Sequence, residues 1–312
     1  MTTTTATTEA DPFVHPALFY RGSRQYLQGT TPFVLGGLDA GEPVAVAVPE
    51  RNLRLIRDEL GELASQVRLI DMSEAGRNPG RIIPAVLTAF VDLHPGRRVR
   101  IIGEPIWPER SATEYPACVQ HEALINLAFA GRGVTILCPY DLDGLDPEVV
   151  RDARMTHPTI MDASGLHISE EYAPEHAVQE YNRPLPAPGN AVELAFGETD
   201  LFKVRAFAVE HASRMGLSGE RLQDLRLIAS ELASNSLDHG GGSGTLRLWF
   251  EDGRAVIEIS DAGHIVDLLA GRRPAAARQQ GSRGLLMTNL LSDLVRIHTG
   301  GDGTTVRAYF TV

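Results

Sequence analysis

Glu231, Asn235 and His239 recur at intervals of four in ELASNSLDH, so a helix there would set all three on one stripe. Beside them Leu222, Leu225, Ile228, Leu232 and the Ser236/Leu237 pair recur at helical spacing and would face a sheet. A carboxylate one turn from a carboxamide suits phosphoryl chemistry. The amide oxygen of Asn235 can hold Mg²⁺, which keeps several waters and contacts few protein groups, while Glu231 can act as general base. The same spacing also describes a solvated polar face, so the helix alone leaves both readings open.

Two later stretches weigh against the bland one. Asp261-Ala262-Gly263 closes an apolar run of strand length; a carboxylate on a rigid element can accept from the exocyclic amine of adenine, and Gly263 lets backbone pass close to a base. Gly281-Ser282-Arg283-Gly284-Leu285 then opens a helical pattern whose free N–H groups and positive dipole end form an anion site for ATP phosphates. Arg272, Arg273 and Arg278 fall between the two stretches and are candidates to reach a triphosphate, although such arginines are more often simply solvated.

Apolar runs at Pro43 to Val48, Val67 to Asp71, Val99 to Gly103 and Val134 to Cys138 alternate with helical patterns at Asn52 to Leu63 and Ile83 to Leu93. This alternation predicts a parallel sheet. Asp71, Glu104 and Asp141 stand at the carboxyl ends of its strands, where ligands dock at a switch point. Gly36-Gly37-Leu38-Asp39-Ala40-Gly41-Glu42 lies where RecA-like ATPases carry related residues, but no GxxxxGK[ST] loop follows, which argues against a second ATPase. After a proline-containing linker at 175–190 the order changes. A strand at Val192 to Phe196, helices at Thr199 to Met215 and Ser218 to His239, strands at Thr245 to Glu251 and Ala255 to Asp261, a helix at Gly284 to Ser292 and strands at Val295 to Thr299 and Thr304 to Val312 predict an α+β sandwich. Its helices should cover one face of a mostly antiparallel sheet. Gly253 after Asp252, and Gly301 to Gly303, supply its hairpin turns.

At 312 residues the chain favours two domains, and with 43% hydrophobic residues both can bury a core. No apolar run is long enough for a membrane span, and MTTTTATTEAD reads as a disordered tail over 1–11 rather than a secretion signal; a cytoplasmic location is expected. A net charge of −11 disfavours nucleic-acid and anionic-membrane binding, leaving a protein or a small ligand as partner. Lys203 is the only lysine. Cys118 and Cys138 lack CxxC spacing and read as buried thiols; a metal site using Cys138 and His157 is disfavoured because no ligand pair has helical or knuckle spacing. His121-Glu122 and Glu210-His211 offer phosphoacceptor-like pairs only superficially.

ELASNSLDHG, DAG and GSRGLLMTNLLSD resemble the N, G1 and G2 boxes of the GHKL superfamily over about residues 190–312, and the short paths between boxes resemble its anti-sigma serine kinases. The resemblance implies a GHKL (Bergerat) ATP-binding sandwich over 191–312, with Glu231 as base, Asn235 on Mg²⁺, Asp261 on adenine, and Gly263, Gly281, Gly284 and Leu285 around base and phosphates. It also implies ATP and Mg²⁺ as cofactors, a serine of a STAS-type anti-anti-sigma protein as phosphoacceptor, a sigma factor as partner, and a homodimer. The segment after Gly263 departs from the family pattern, which bears on lid closure. Two other readings are an ATP-binding switch without kinase activity and a histidine-kinase-like sensor. HPALFYRG, GEP-IW, HEALIN, CPYD and THP resemble the MEDS sensory domain, which implies a degenerate RecA-like α/β sensory domain at 12–174 for a small organic ligand. Its candidate pocket residues are His15, Tyr20, Glu104, Trp107, Glu122, Asn126, Tyr140, Asp141 and His157, several of which would serve equally as structural contacts.

Overall fold

The computed structural model describes residues 13–186, 188–273 and 283–312. In chain order the main elements are β1 (Pro16–Tyr20), α1 (Gly22–Asp39), β2 (Val44–Val48), α2 (Glu50–Leu60), β3 (Arg68–Asp71), β4 (Val99–Gly103), α3 (Tyr115–Ala128), β5 (Val134–Asp141), α4 (Pro147–Thr156), β6 (Thr159–Asp162) and β7 (Gly165–Ile168). They continue with α5 (Pro174–Glu180), β8 (Val192–Gly197), α6 (Leu201–Arg214), α7 (Gly219–His239), β9 (Ser243–Glu251), β10 (Arg254–Asp261), α8 (Arg283–Leu291), β11 (Leu294–Gly300) and β12 (Gly303–Thr311). The chain divides into two compact units. One comprises 1–73, 87–109 and 125–174; the other comprises 74–86, 110–124 and 175–312.

The first unit is built on a seven-stranded sheet ordered β3-β2-β4-β5-β1-β6-β7, parallel except for the β6–β7 hairpin. VAVAV in β2 is buried at every position, as a parallel strand covered on both faces requires. β1 and the β6–β7 hairpin are additions to the strands predicted from sequence. The glycine-rich stretch from Gly36 closes α1 and turns into β2; Gly37 packs there because an added Cβ would lie 2.7 Å from a Val44 methyl.

The second unit carries an antiparallel sheet ordered β11-β12-β10-β9-β8. Alternation sends Leu246, Leu248, Ile257, Ile259, Val306, Ala308 and Phe310 to a face covered by Val204, Ala208, Leu225, Ile228 and Leu232 of the helices. Each buried Val, Leu, Ile or Phe there contributes about 1.5–3 kcal/mol. The hairpin turn places Asp252 at φ 48° and Gly253 at φ 73°, the geometry of a two-residue turn matching strand twist. The opposite face, on which the sequence reading made no statement, is not left to water. Trp249, Val256, Leu294 and Tyr309 pack there with Ala117, and Glu258 pairs in the interior with Arg307 at 2.6 Å and with Arg247 at 3.3 Å. The reason is compositional: the outward alternates include large aromatics, which need cover.

The predicted linker is also structured. Within the second unit α5 buries Ala177, Tyr181 is buried after it, and Asn182 bonds both the N–H and the C=O of Thr299. Arg307 donates to the carbonyls of Leu185 and Pro186 at 3.0 Å. The helix predicted at Ile83 to Leu93 is present as a π-helical turn over Ile82–Thr88 followed by α-helix to Asp92.

Candidate functional site

In the second unit α7 brings Asn235, Ser236, His239 and Leu232 to one wall of a cleft of about 780 Å³. Asp261 and Gly263 at the end of β10, Leu285 on α8, and Thr304 and Val306 on β12 form other walls. The Asp261 carboxylate is fixed from two sides: Ser236 Oγ donates to one oxygen at 2.5 Å, and the Gly263 N–H to the other at 2.8 Å. Each oxygen keeps a further lone pair for a donor in the cleft. Gly240, after α7, passes so near that a Cβ would fall 2.4 Å from Asp261 Cγ. Gly263 has the same constraint, 2.6 Å from the carbonyl oxygen of His239.

Gly284, in the first turn of α8, closes onto the polar stripe of α7. A Cβ on it would lie 2.8 Å from Asn235 Nδ2 and 3.3 Å from Glu231 Oε2. The expected catalytic pair and the helix start are therefore neighbours, with Glu231 behind Asn235 rather than among the residues lining the cleft. Gly281 and Arg278 lie outside the described residues. Thr304 donates to the Gly263 carbonyl at 2.9 Å and meets Thr299 Oγ1 at 2.8 Å, tying β12 to the turn after Asp261.

Arg272, a candidate to reach a triphosphate or to be simply solvated, is instead buried, and burial lowers its guanidinium pKa to about 10. Arg273 pairs with Asp267 at 3.6 Å. Ser236, expected only to face the sheet, and Thr304, Gly240 and His264 complete the cleft. A hydroxyl one residue beyond Asn235 was the sequence signal for the first; nothing local marks Thr304.

In the first unit the predicted pocket residues fall into two groups. Tyr20, Glu104, Trp107 and Asp141 line one cleft of about 570 Å³ at the carboxyl ends of β1, β4 and β5, together with Tyr26, Arg51, Asn52 and Glu109. Asn52 Nδ2 donates to the Glu104 oxygens at 2.8 and 2.9 Å. Burial pushes the Glu104 carboxyl up to about 8; the Asn52 bond opposes this and Asp141 adds to it. Burial, with Glu104 and Asp141 nearby, likewise raises the Tyr20 hydroxyl well above its ordinary value. Asn52 and Arg51 were missed, although the first turn of a helix after a strand end is where such groups belong.

His15, Tyr140 and His157 lie apart from that cleft, in the interior, with the half-buried Asn126 beside them. The rings of His15 and His157 are 4.1 Å apart, and Tyr140 meets His157 edge-on at 5.5 Å. Cys138 joins them, its sulfur 3.4 Å from His15 Nε2, so residues without any sequence spacing in common are gathered by the fold. Glu122 and His121 on α3 are buried, His121 at 1% exposure, which leaves no accessible phosphoacceptor there.

Residues 14–158 match the family model of the MEthanogen/methylotroph, DcmR Sensory domain (MEDS), and residues 190–310 match that of the histidine kinase-like ATPase domain. No curated protein matches the chain. Among solved structures the chain is similar to the RsbU and RsbW domains of Rv1364c from Mycobacterium tuberculosis, at 20% identity and a TM-score of 0.30, over 40% of this chain and 33% of that one. The match thus spans about a third of that solved chain. Among the described residues no helix is long and apolar enough to cross a membrane. Two successive parts of the chain thus match two family models, a MEDS-type sensory domain followed by a histidine kinase-like ATPase domain.

Proposed function

We propose that the chain is a signal-responsive anti-sigma regulator whose second unit binds ATP with Mg²⁺ and phosphorylates a serine of a STAS-type anti-anti-sigma protein, so controlling release of a sigma factor. One observation carries this reading: Gly284 seats the start of α8 directly on Asn235 and Glu231, across the cleft wall from the doubly anchored Asp261. The cleft fits the nucleotide's chemistry. Asp261 offers lone pairs to an exocyclic amine, Leu232, Ile259 and Val306 offer apolar surface to a ring, and Asn235 offers an amide oxygen to Mg²⁺. When bound, Mg²⁺ supplies charge neutralisation for the phosphates. Glu231, one turn from Asn235, is placed to take the proton of an incoming serine hydroxyl, and the α8 start to hold anionic oxygens.

The first unit is read as a degenerate RecA-like sensory domain, its strand order and the cleft at Glu104 supporting a small organic ligand. A cytoplasmic homodimer completes the reading. A binding switch without phosphoryl transfer is the second reading, favoured by the position of Glu231 off the cleft wall.

Transfer of labelled phosphate from ATP to a purified STAS partner decides between them. Wild type should label the partner, and Glu231→Ala should reduce the rate about 10²–10⁴-fold while calorimetric ATP affinity changes little. Tight ATP binding with no transfer leaves only the switch; no ATP binding removes both.

A further inference from the structure

We propose that His15, Cys138 and His157 form a metal-binding site in the interior of the first unit, taking Zn²⁺ or a similar borderline-soft divalent cation. The inference is independent of the nucleotide site. All three side chains are at most 1% exposed, and their ligand-capable atoms lie within 4.8 Å of one another. Tetrahedral zinc with one thiolate and one imidazole separates sulfur from nitrogen by about 3.6 Å. His15 Nε2 and Cys138 Sγ are 3.4 Å apart.

The tautomers favour the assignment. Asn126 donates its amide to the Thr156 carbonyl at 2.8 Å, which fixes the flip and turns its oxygen to His15 Nδ1 at 3.1 Å. His15 must then carry its proton on Nδ1, leaving the Nε2 lone pair directed to Cys138. His157 Nδ1 lies 2.8 Å from the Ala153 carbonyl, an acceptor only, so its proton also resides on Nδ1 and its lone pair on Nε2. Both imidazoles thus donate through one nitrogen to a carbonyl oxygen and present the other, the arrangement that orients histidine ligands. Binding would release one proton, from the Cys138 thiol, to solvent as the metal–sulfur bond forms.

The strand geometry supports the same grouping. Cys138 and Tyr140 alternate onto one face of β5; Ala17 of β1 pairs with Cys138, and Pro16 pairs with Thr159 of β6, so His15 and His157 enter side by side just before their strands. Three elements supply one ligand each without any local motif, and a tetrahedral ion would keep its fourth position open.

The test uses the full-length chain, without an affinity tag, from zinc- or cobalt-supplemented cultures. Metal analysis should find about one ion per chain, and the cobalt form should show a thiolate-to-cobalt charge-transfer band. Cys138→Ser should lose the band, and Cys118→Ser should keep it. Asn126→Ala, which removes an orienting partner and no ligand, should weaken affinity about 10–100-fold in chelator competition. Folding of each variant is checked by circular dichroism. Folded wild type with no stoichiometric metal and no band overturns the proposal, as does uptake unchanged in both Cys138→Ser and His157→Ala.

Discussion

Glu104 is a buried carboxyl at the base of its cleft, with Asn52 donating to it, Asp141 and Glu109 repelling its charge and Arg51 opposing them. Folding lifts it from an ordinary value of 4.5 to about 8, so between these limits the folded protein holds a proton that the unfolded chain has released. Its contribution to stability is full below about 4.5 and is lost as pH rises through about 8. Glu104→Gln should therefore melt close to wild type near pH 5 and above it near pH 8.5, compared in thermal scans at both. A constant difference across that range would refute the shift. Its strand-end position made Glu104 legible in the sequence, as did the i, i+4 stripe of Glu231 and Asn235. Ser236 and Thr304 were not legible as site residues, because their roles follow from which strand ends meet α7. His15, Cys138 and His157 were illegible for the same reason: only the pairing of β1 with β5 and β6 assembles them.

Among elements, the contact of α8 with α7 has the least tolerance. Gly284→Ala would set a methyl group against Asn235 and Glu231, and relieving it must shift α8 or rotate Asn235 off the cleft. Such overpacking costs about 1–3 kcal/mol. Calorimetry should show ATP affinity reduced about tenfold or more, by the equivalence of 1.4 kcal/mol to a factor of ten, and unchanged affinity would show that α8 is not coupled to the nucleotide. Most elements of the second unit were readable because two periods, 3.6 and 2, alternate cleanly there, and Asp252-Gly253 announced its own turn. The π-helical turn at Ile82–Thr88 was not, since its apolar positions resemble those of an α-helix. α5 hid behind prolines whose carbonyl partners, such as Arg307, lie far along the chain.

For the whole molecule, the second unit depends on sequence from well before residue 175. Asn78 is fully buried; its amide donates to the Asn289 carbonyl at 2.8 Å and its oxygen accepts from Val295 N at 3.3 Å. Arg77 pairs with Asp293 at 2.8 Å, and Arg296 donates to the Thr113 carbonyl at 2.8 Å. A fragment of residues 175–312 would strip those partners away, leaving backbone groups at about 1–3 kcal/mol each if unsatisfied. It should melt well below the second unit's transition in the full chain in calorimetric scans; equal melting temperatures would show these contacts to be dispensable. The composition shift near residue 175 was visible in the sequence, but the return of 74–86 and 110–124 to the second unit leaves no local signature, being a matter of burial partners far away.

That interleaving has an evolutionary corollary. Gene fusion or recombination with a single crossover near codon 175 would give the incoming ATPase the Asn78 strip and Thr113 segment of a foreign parent. Exchange of the first unit for that of another parent therefore demands either matched segments or compensating changes around Asn289 and Asp293.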